Sequence, residues 1–202
     1  MKKLLLFLPM AAMLAFSTSN DPINEKERKV AVSSLTETRD QLLESVKGLS
    51  EAQLKFKPAP DRWSVEECLK HIAFAEMGLW QMCEGTLKQP ANPEKRSEIK
   101  MTDEDLVKKM QDRSTKVKTS EQMEPQNIPF KSADEALTSF KENREKLISY
   151  VKTTTDEMRN HVTTTPMGMV DAYQILLFIS AHSNRHTQQI NEVKADPNFP
   201  KQ

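Results

Sequence analysis

Near the C-terminal end, Tyr173, Ile175, Leu176, Leu177, Phe178 and Ile179 form a run that is apolar on every side of a helix. The run belongs to a segment predicted as helix from about Val170 to Lys194, which stops before Pro197. A helix apolar all round has no face suited to water, so it must sit in the middle of a core with other elements around it. The rest of the chain has to supply those neighbours, and it supplies three amphipathic helices.

The first is expected from about Asn24 to Lys47, where Val32, Leu35, Leu42, Leu43 and Val46 make one stripe and Gly48 ends the helix. Ser50 then caps a short turn, Glu51 to Leu54, followed by Phe56 and the stiff connector Lys57 to Arg62 with Pro58 and Pro60. The second helix has a marked start. Ser64 is its N-cap, Glu67 stands at the third position to complete a capping box, and Trp63 and Cys68 are placed to form a hydrophobic staple. It continues to about Thr86 with Cys68, Ile72, Ala75, Leu79 and Met82 on its stripe and Phe74 and Trp80 to either side. The third opens at Ser132, with Glu135 in capping-box position, and carries Ala136, Leu137, Phe140, Leu147 and Val151 before fraying through Thr153, Thr154 and Thr155. A loop with His161, Pro166 and Gly168 leads to the last helix.

Only four glycines occur in 202 residues, and alternating strands with Asn-Gly or Asp-Gly turns are absent from the pattern. The chain is therefore all-α, and four long striped helices make a four-helix bundle. Residues 87–131, punctuated by Pro90, Pro93, Pro125 and Pro129, form one long crossover between helices two and three. The crossover carries a short extra helix capped by Thr102, with Leu106, Met110 and Val117 as its apolar side. Such an excursion covers one end of a core or forms the mouth of a pocket.

The first residues read as an export signal. Lys2 and Lys3 precede an uncharged run, Leu4 to Phe16, and small residues at Ala15, Ser17 and Ser19 suit a cleavage site. Residues 1–19 are set apart on that reading, leaving 20–202 as one domain, periplasmic or secreted, with no membrane segment after cleavage. No Cys stands at the cleavage point, so no lipid anchor is expected. Setting aside Lys2 and Lys3 leaves 27 basic against 29 acidic residues, so nothing favours nucleic acid as a partner. The two cysteines, Cys68 and Cys83, lie about 22 Å apart along one helix and cannot bond to each other there. The core, a metal or a partner chain must hold the fold instead.

The chemistry centres on histidine. His182 and His186 are four apart on helix four and share its inward face with Ile175, Phe178, Gln189, Ile190 and Val193. His71 lies within the apolar stripe of helix two. Inward imidazoles need partners. One divalent metal would satisfy all three, and histidines hydrogen-bonded within a core are the alternative. Three imidazoles and no carboxylate leave a coordination position open to water or substrate, and the donor set suits zinc or nickel, with copper next in affinity. Gln189 and Glu67, each about a turn from a candidate ligand, are placed to hold the second ring nitrogens of His186 and His71. Cys68 could line the site as a thiolate, although the staple accounts for it. His161 reads as a surface residue, and the eight methionines beyond the signal as core filler.

Two stretches resemble the DinB-like family. Trp63-Ser64-Val65-Glu66-Glu67-Cys68-Leu69-Lys70-His71-Ile72 is similar to the family's entry to helix two. His182-Ser183-Asn184-Arg185-His186-Thr187-Gln188-Gln189-Ile190 is similar to its H-x-x-R-H-x-x-Q-I segment. The Leu49-Ser50 turn and the Pro58 to Arg62 connector fit too, so the resemblance covers about residues 24–194. It implies an up-up-down-down four-helix bundle with a long crossover between helices two and three. It also implies a metal triad of His71, His182 and His186, and a homodimer. Several relatives are thiol-dependent S-transferases of the cytosol, and an exported chain would lack their thiol cosubstrate. The functional expectation is a metal-dependent enzyme, a hydrolase or a thiol-dependent transferase acting on a small molecule not specified by the sequence. The competing expectation is a bundle that binds metal or ligand without turnover. No catalytic residue is assigned from sequence.

Overall fold

The computed structural model describes residues 23–201; the candidate export signal, residues 1–19, lies outside them. The helices are α1 (Glu25–Val46), α2 (Glu51–Lys55), α3 (Val65–Leu87), α4 (Asp103–Gln111), α5 (Ala133–Thr153) and α6 (Ala172–Lys194). Local chemistry sets their starts. Asn24 with Glu27, Ser50 with Gln53 and Ser64 with Glu67 form full capping boxes. At α5 the box is shifted by one residue. Ser132 accepts from Glu135 N, but the Glu135 carboxylate takes the amide of Lys131.

α1, α3, α5 and α6 form the bundle, with α1 and α3 each packed against both α5 and α6. Cross-helix contacts give the directions. α1 and α6 run parallel, because Glu27 O meets Tyr173 Oη at 2.9 Å and Ser45 O meets Lys194 Nζ at 2.7 Å. α3 runs against α6, since His71 meets His182 while Cys83 meets Ala172 O. α5 runs against α1, since Arg28 bonds Val151 O and Arg39 bonds Glu145. The order is therefore up-down-down-up, and the up-up-down-down order implied by the resemblance is corrected. The physical reason lies in the connections. A short link through α2 turns the chain back after α1. The long crossover then returns it along α3, roughly 34 Å long, so that α5 starts beside the start of α3, where Lys70 Nζ meets Lys131 O at 3.3 Å.

Two apolar clusters fill the bundle. One contains Leu35, Leu147, Leu176 and Ile179, and the other Leu42, Ile72, Phe140 and Ile190. Between them along every helix lies a polar layer: Thr38 on α1, Glu76 on α3, Arg144 on α5 and Ser183 on α6. Arg144 is fully buried, and all five of its N–H groups are used. Nε and Nη2 grip the Glu76 carboxylate at 2.9 and 2.6 Å, Nη1 donates to Leu35 O and Thr38 Oγ1 at 2.8 Å, and Nη2 also donates to Ser183 Oγ at 2.8 Å. One side chain thus ties all four helices together.

Two parts of the chain differ from expectation. The loop before α6 is a small antiparallel hairpin, β1 (Val162–Thr165) paired with β2 (Gly168–Asp171). Three consecutive threonines favour the extended backbone, and Gly168 at φ +113° closes the two-residue Pro166-Met167 turn. Because β2 runs into Asp171, which caps Gln174 N at 2.8 Å, α6 starts after Val170 rather than at it. In the crossover, α4 ends at Gln111; Leu106 is buried, but Val117 lies beyond the helix and is 75% exposed, so it adds nothing to an apolar side.

Gly168 yields the first prediction. A Cβ at that φ strains the backbone even though nothing lies within 4 Å of it. Gly168→Ala is expected to cost about 1–2 kcal/mol, read as a drop of roughly 2–8 °C in melting temperature. An unchanged melting curve would show that the hairpin relaxes without penalty.

Candidate metal centre

The Ser64–Glu67 box fixes where α3 begins and so places His71 on its second turn, facing the bundle. α6 passes in the opposite direction and presents His182 and His186 at the same level. The three rings converge, with centroids 5.1 Å (His71–His182), 4.5 Å (His71–His186) and 4.6 Å (His182–His186) apart. One ring nitrogen of each lies within 4.8 Å of the other two, and His71 Nε2 is 3.3 Å from His182 Nε2. Two imidazoles bound to one tetrahedral zinc at 2.0–2.1 Å would place their nitrogens roughly 3.3 Å apart.

The second nitrogens are held by acceptors. His71 Nδ1 lies 2.9 Å from Met123 O, and since a carbonyl only accepts, the proton is on Nδ1 and the Nε2 lone pair faces the cluster. His186 Nδ1 meets Gln189 Oε1 at 2.9 Å and is turned in the same way. This arrangement orients metal-ligating histidine. Burial lowers the pKa of all three. For His182 it acts first and the neighbouring His71 next, taking the ring to about 3; His71 is lowered by burial, and His186 well below the usual range by burial and then by His182. All three are neutral near pH 7, so no proton competes for the lone pairs. Their folded pKa values lie below the unfolded ones, so the rings cost nothing in proton binding above about pH 6.5, and stability is lost as pH falls below it and the unfolded chain takes up protons that the folded one does not. Unfolding of the metal-free protein in urea is thus expected at lower concentration at pH 5 than at pH 7, with most of the difference gone when His71, His182 and His186 are all replaced by Gln. A pH-independent midpoint would contradict neutral buried rings.

Aromatic rings wall the cluster. Trp63 stacks over His186 at 5.9 Å and tilts on His71 at 4.9 Å, and Phe178 stacks on His182 at 6.0 Å. The sequence pattern places Trp63 in the staple; the structure adds its contact with two histidines. The only other tryptophan, Trp80, lies against Tyr150. In a Trp80→Phe background, stoichiometric Ni²⁺ is expected to quench most Trp63 fluorescence, since the ion would sit within a few ångströms of the indole. Full emission with nickel bound would place the ion elsewhere.

The other sequence candidates divide. Gln189 lies at the site, as described. Glu67 does not: its carboxylate takes Ser64 N at 2.8 Å and Lys57 Nζ at 3.0 Å, and a main-chain carbonyl holds His71 in its place. Cys68 is fully buried among apolar side chains with Trp63 at the margin, and burial pushes its thiol far up, which leaves no thiolate. His161 is partly buried rather than on the surface, away from the triad, with Nδ1 unpartnered. Three residues at the site were not singled out from sequence. Met123 contributes only main chain, which leaves no compositional trace. Arg185 and Arg113 reach the crossover and α6 from positions that read as ordinary polar ones. A groove of about 810 Å³ between α1, α4 and the start of α6 is lined by Val30, Val107, Arg159 and Tyr173, and none of the three histidines borders it.

A model of the DinB superfamily matches residues 34–190, a span that contains all three histidines and the crossover. The chain belongs to the DinB superfamily. Among curated proteins it is similar to YuaE of Bacillus subtilis (strain 168), an uncharacterized protein, with 27% identity over 164 residues covering 81% of this chain and 96% of that one. Among solved structures it is similar to YfiT from Bacillus subtilis, described as a probable metal-dependent hydrolase with an unusual four-helix bundle topology. That likeness has a TM-score of 0.60 at 16% identity and covers 88% of this chain and 91% of YfiT, which establishes the shared fold.

Proposed function

We propose that this DinB-superfamily chain holds a divalent metal on His71, His182 and His186 and is a metal-dependent hydrolase. The carrying observation is the convergence of three neutral imidazoles within 4.8 Å, two of them turned by Met123 O and Gln189 so that their free nitrogens face one point. The donor chemistry fits zinc or nickel. When bound, such an ion acts as a Lewis acid toward water and toward a carbonyl or phosphoryl oxygen. The chain's own residues supply the rest. The helices fix three ligands, and Trp63 and Phe178 exclude water from two sides. YfiT's description as a probable metal-dependent hydrolase supports the same reading.

One feature favours turnover over a closed binding module. Among the described residues no further His, Cys, Asp or Glu joins the group, so the chain supplies three ligands and no fourth. Both cysteines are buried with their thiols pushed up by burial, so the chain offers no nucleophilic thiol of its own, and thiol transfer would draw its thiol from a cosubstrate. The test is hydrolysis of ester, amide and phosphoester panels by metal-free, Zn²⁺-loaded and Ni²⁺-loaded protein. Activity that appears with metal, disappears with chelator and is absent in His186→Ala is expected. Equal rates with and without bound metal on every panel would leave the non-catalytic module standing.

A further inference from the structure

The crossover has to pass from α6 to α3, because α4 lies along α6 while the turns at Glu121–Met123 and Pro125–Asn127 lie on α3. Those are the two helices that carry the histidines, so residues 112–123 span the gap between them at the level of the triad. Each end of this span is fastened to the site. At the α6 end, Arg185, between the two histidines of its helix, donates to the carbonyls of Met110, Asp112 and Thr115, and so caps the open end of α4. Beside it, Arg113 grips Glu192 through Nε and Nη2 at 2.6 and 2.7 Å. Its Nη1 reaches 3.5 Å from Gln189 Oε1, the same oxygen that holds His186. At the α3 end, Met123 O holds His71 Nδ1. Between the fastenings, residues 116–119 make no hydrogen bond to any described residue, and Lys116, Val117 and Lys118 are exposed.

We propose that residues 112–123 are a strap over the metal centre, that Arg185 and Arg113 are positioning residues which latch it, and that metal binding and strap closure are coupled. The inference rests on the metal reading of the same three histidines. The coupling is mechanical. Opening the strap withdraws the Met123 carbonyl from His71, which loses its acceptor directly, and the Arg113 guanidinium from Gln189, so the amide that turns His186 loses the group that steadies it. Partners of this kind are worth about 10–100-fold in metal affinity. By reciprocity, an ion that needs both rings turned favours the closed strap by the same factor.

The test is limited trypsin digestion of the whole protein with and without saturating Zn²⁺, following cleavage after Lys116 and Lys118 by mass spectrometry relative to cleavage after exposed Lys95 in the turn Pro93–Glu98. Zn²⁺ is expected to slow strap cleavage about tenfold or more and to leave Lys95 unchanged. Release of Zn²⁺ to a chelator is expected to be about tenfold faster in Arg113→Gln and Arg185→Met than in wild type. Melting temperatures of the metal-free variants separate this effect from simple unfolding, and Arg113, which leaves the cap on α4 intact, is the milder change. If Zn²⁺ raises the melting temperature but strap cleavage and release rates do not respond, the coupling is wrong and the metal site survives. If Zn²⁺ neither binds nor protects, the metal reading itself fails and takes the strap with it.

Discussion

Glu76→Ala is expected to destabilise the protein by about 3–5 kcal/mol, a fall of roughly 6–20 °C in melting temperature. Glu76 is 2% exposed and, among the described residues, its carboxylate is the only charged partner of a guanidinium that is fully buried. Removing it leaves Arg144 charged in a low-dielectric layer with only hydroxyl and carbonyl partners. Burial pushes the Glu76 carboxyl above the usual carboxylate range, and the Arg144 guanidinium beside it works against that rise. The double change Glu76→Leu/Arg144→Met removes both charges at similar volume, while Thr38 and Ser183 keep their hydrogen bonds to Ser34 O and Ile179 O. It is therefore expected to lie closer to wild type than Glu76→Ala does. A loss below about 1 kcal/mol for Glu76→Ala would show that water reaches the pair and that the four helices are not joined there.

The second large effect concerns the metal. A ligand that binds only the folded chain at a free concentration 100 times its dissociation constant adds about 2.7 kcal/mol, or roughly 5–10 °C here. Zn²⁺ or Ni²⁺ is expected to give such a shift in wild type and none in His182→Ala or His186→Ala. The metal-free variants are expected to melt close to metal-free wild type or above it, because a buried imidazole with an unshared ring nitrogen contributes little to stability. A metal-induced shift that persists in both variants would mean that the ion binds outside the triad.

Much of this was legible in sequence where the cause is local. Ser64 with Glu67, Ser50 and Thr102 mark helix starts because the capping partners lie three residues away, and they stand where expected. The inward placement of His71, His182 and His186 follows from helical spacing against apolar neighbours. What failed depended on other parts of the chain. Helix direction follows from the paths of the α2 link and the crossover, not from any stripe. Arg144 and Glu76 fall on the apolar stripes of their helices, a visible anomaly, but each is explained only by the other, 68 residues away. The acceptor for His71 is a peptide carbonyl whose side chain is irrelevant, so the only polar side chain at the right spacing, Glu67, was the natural and mistaken choice. The hairpin escaped notice because its turn, Pro166-Met167, lacks the usual Asn-Gly or Asp-Gly pair.

The central claim is that three histidines from α3 and α6 hold one divalent ion. It is tested most directly by the metal content of untagged protein, measured by mass spectrometry for wild type and for His71→Ala, His182→Ala and His186→Ala. About one equivalent of zinc or nickel in wild type, and close to none in each variant, is the predicted result. Wild type that stays metal-free and takes up no Zn²⁺ or Ni²⁺ when dialysed against it, or variants that keep a full equivalent, would contradict it.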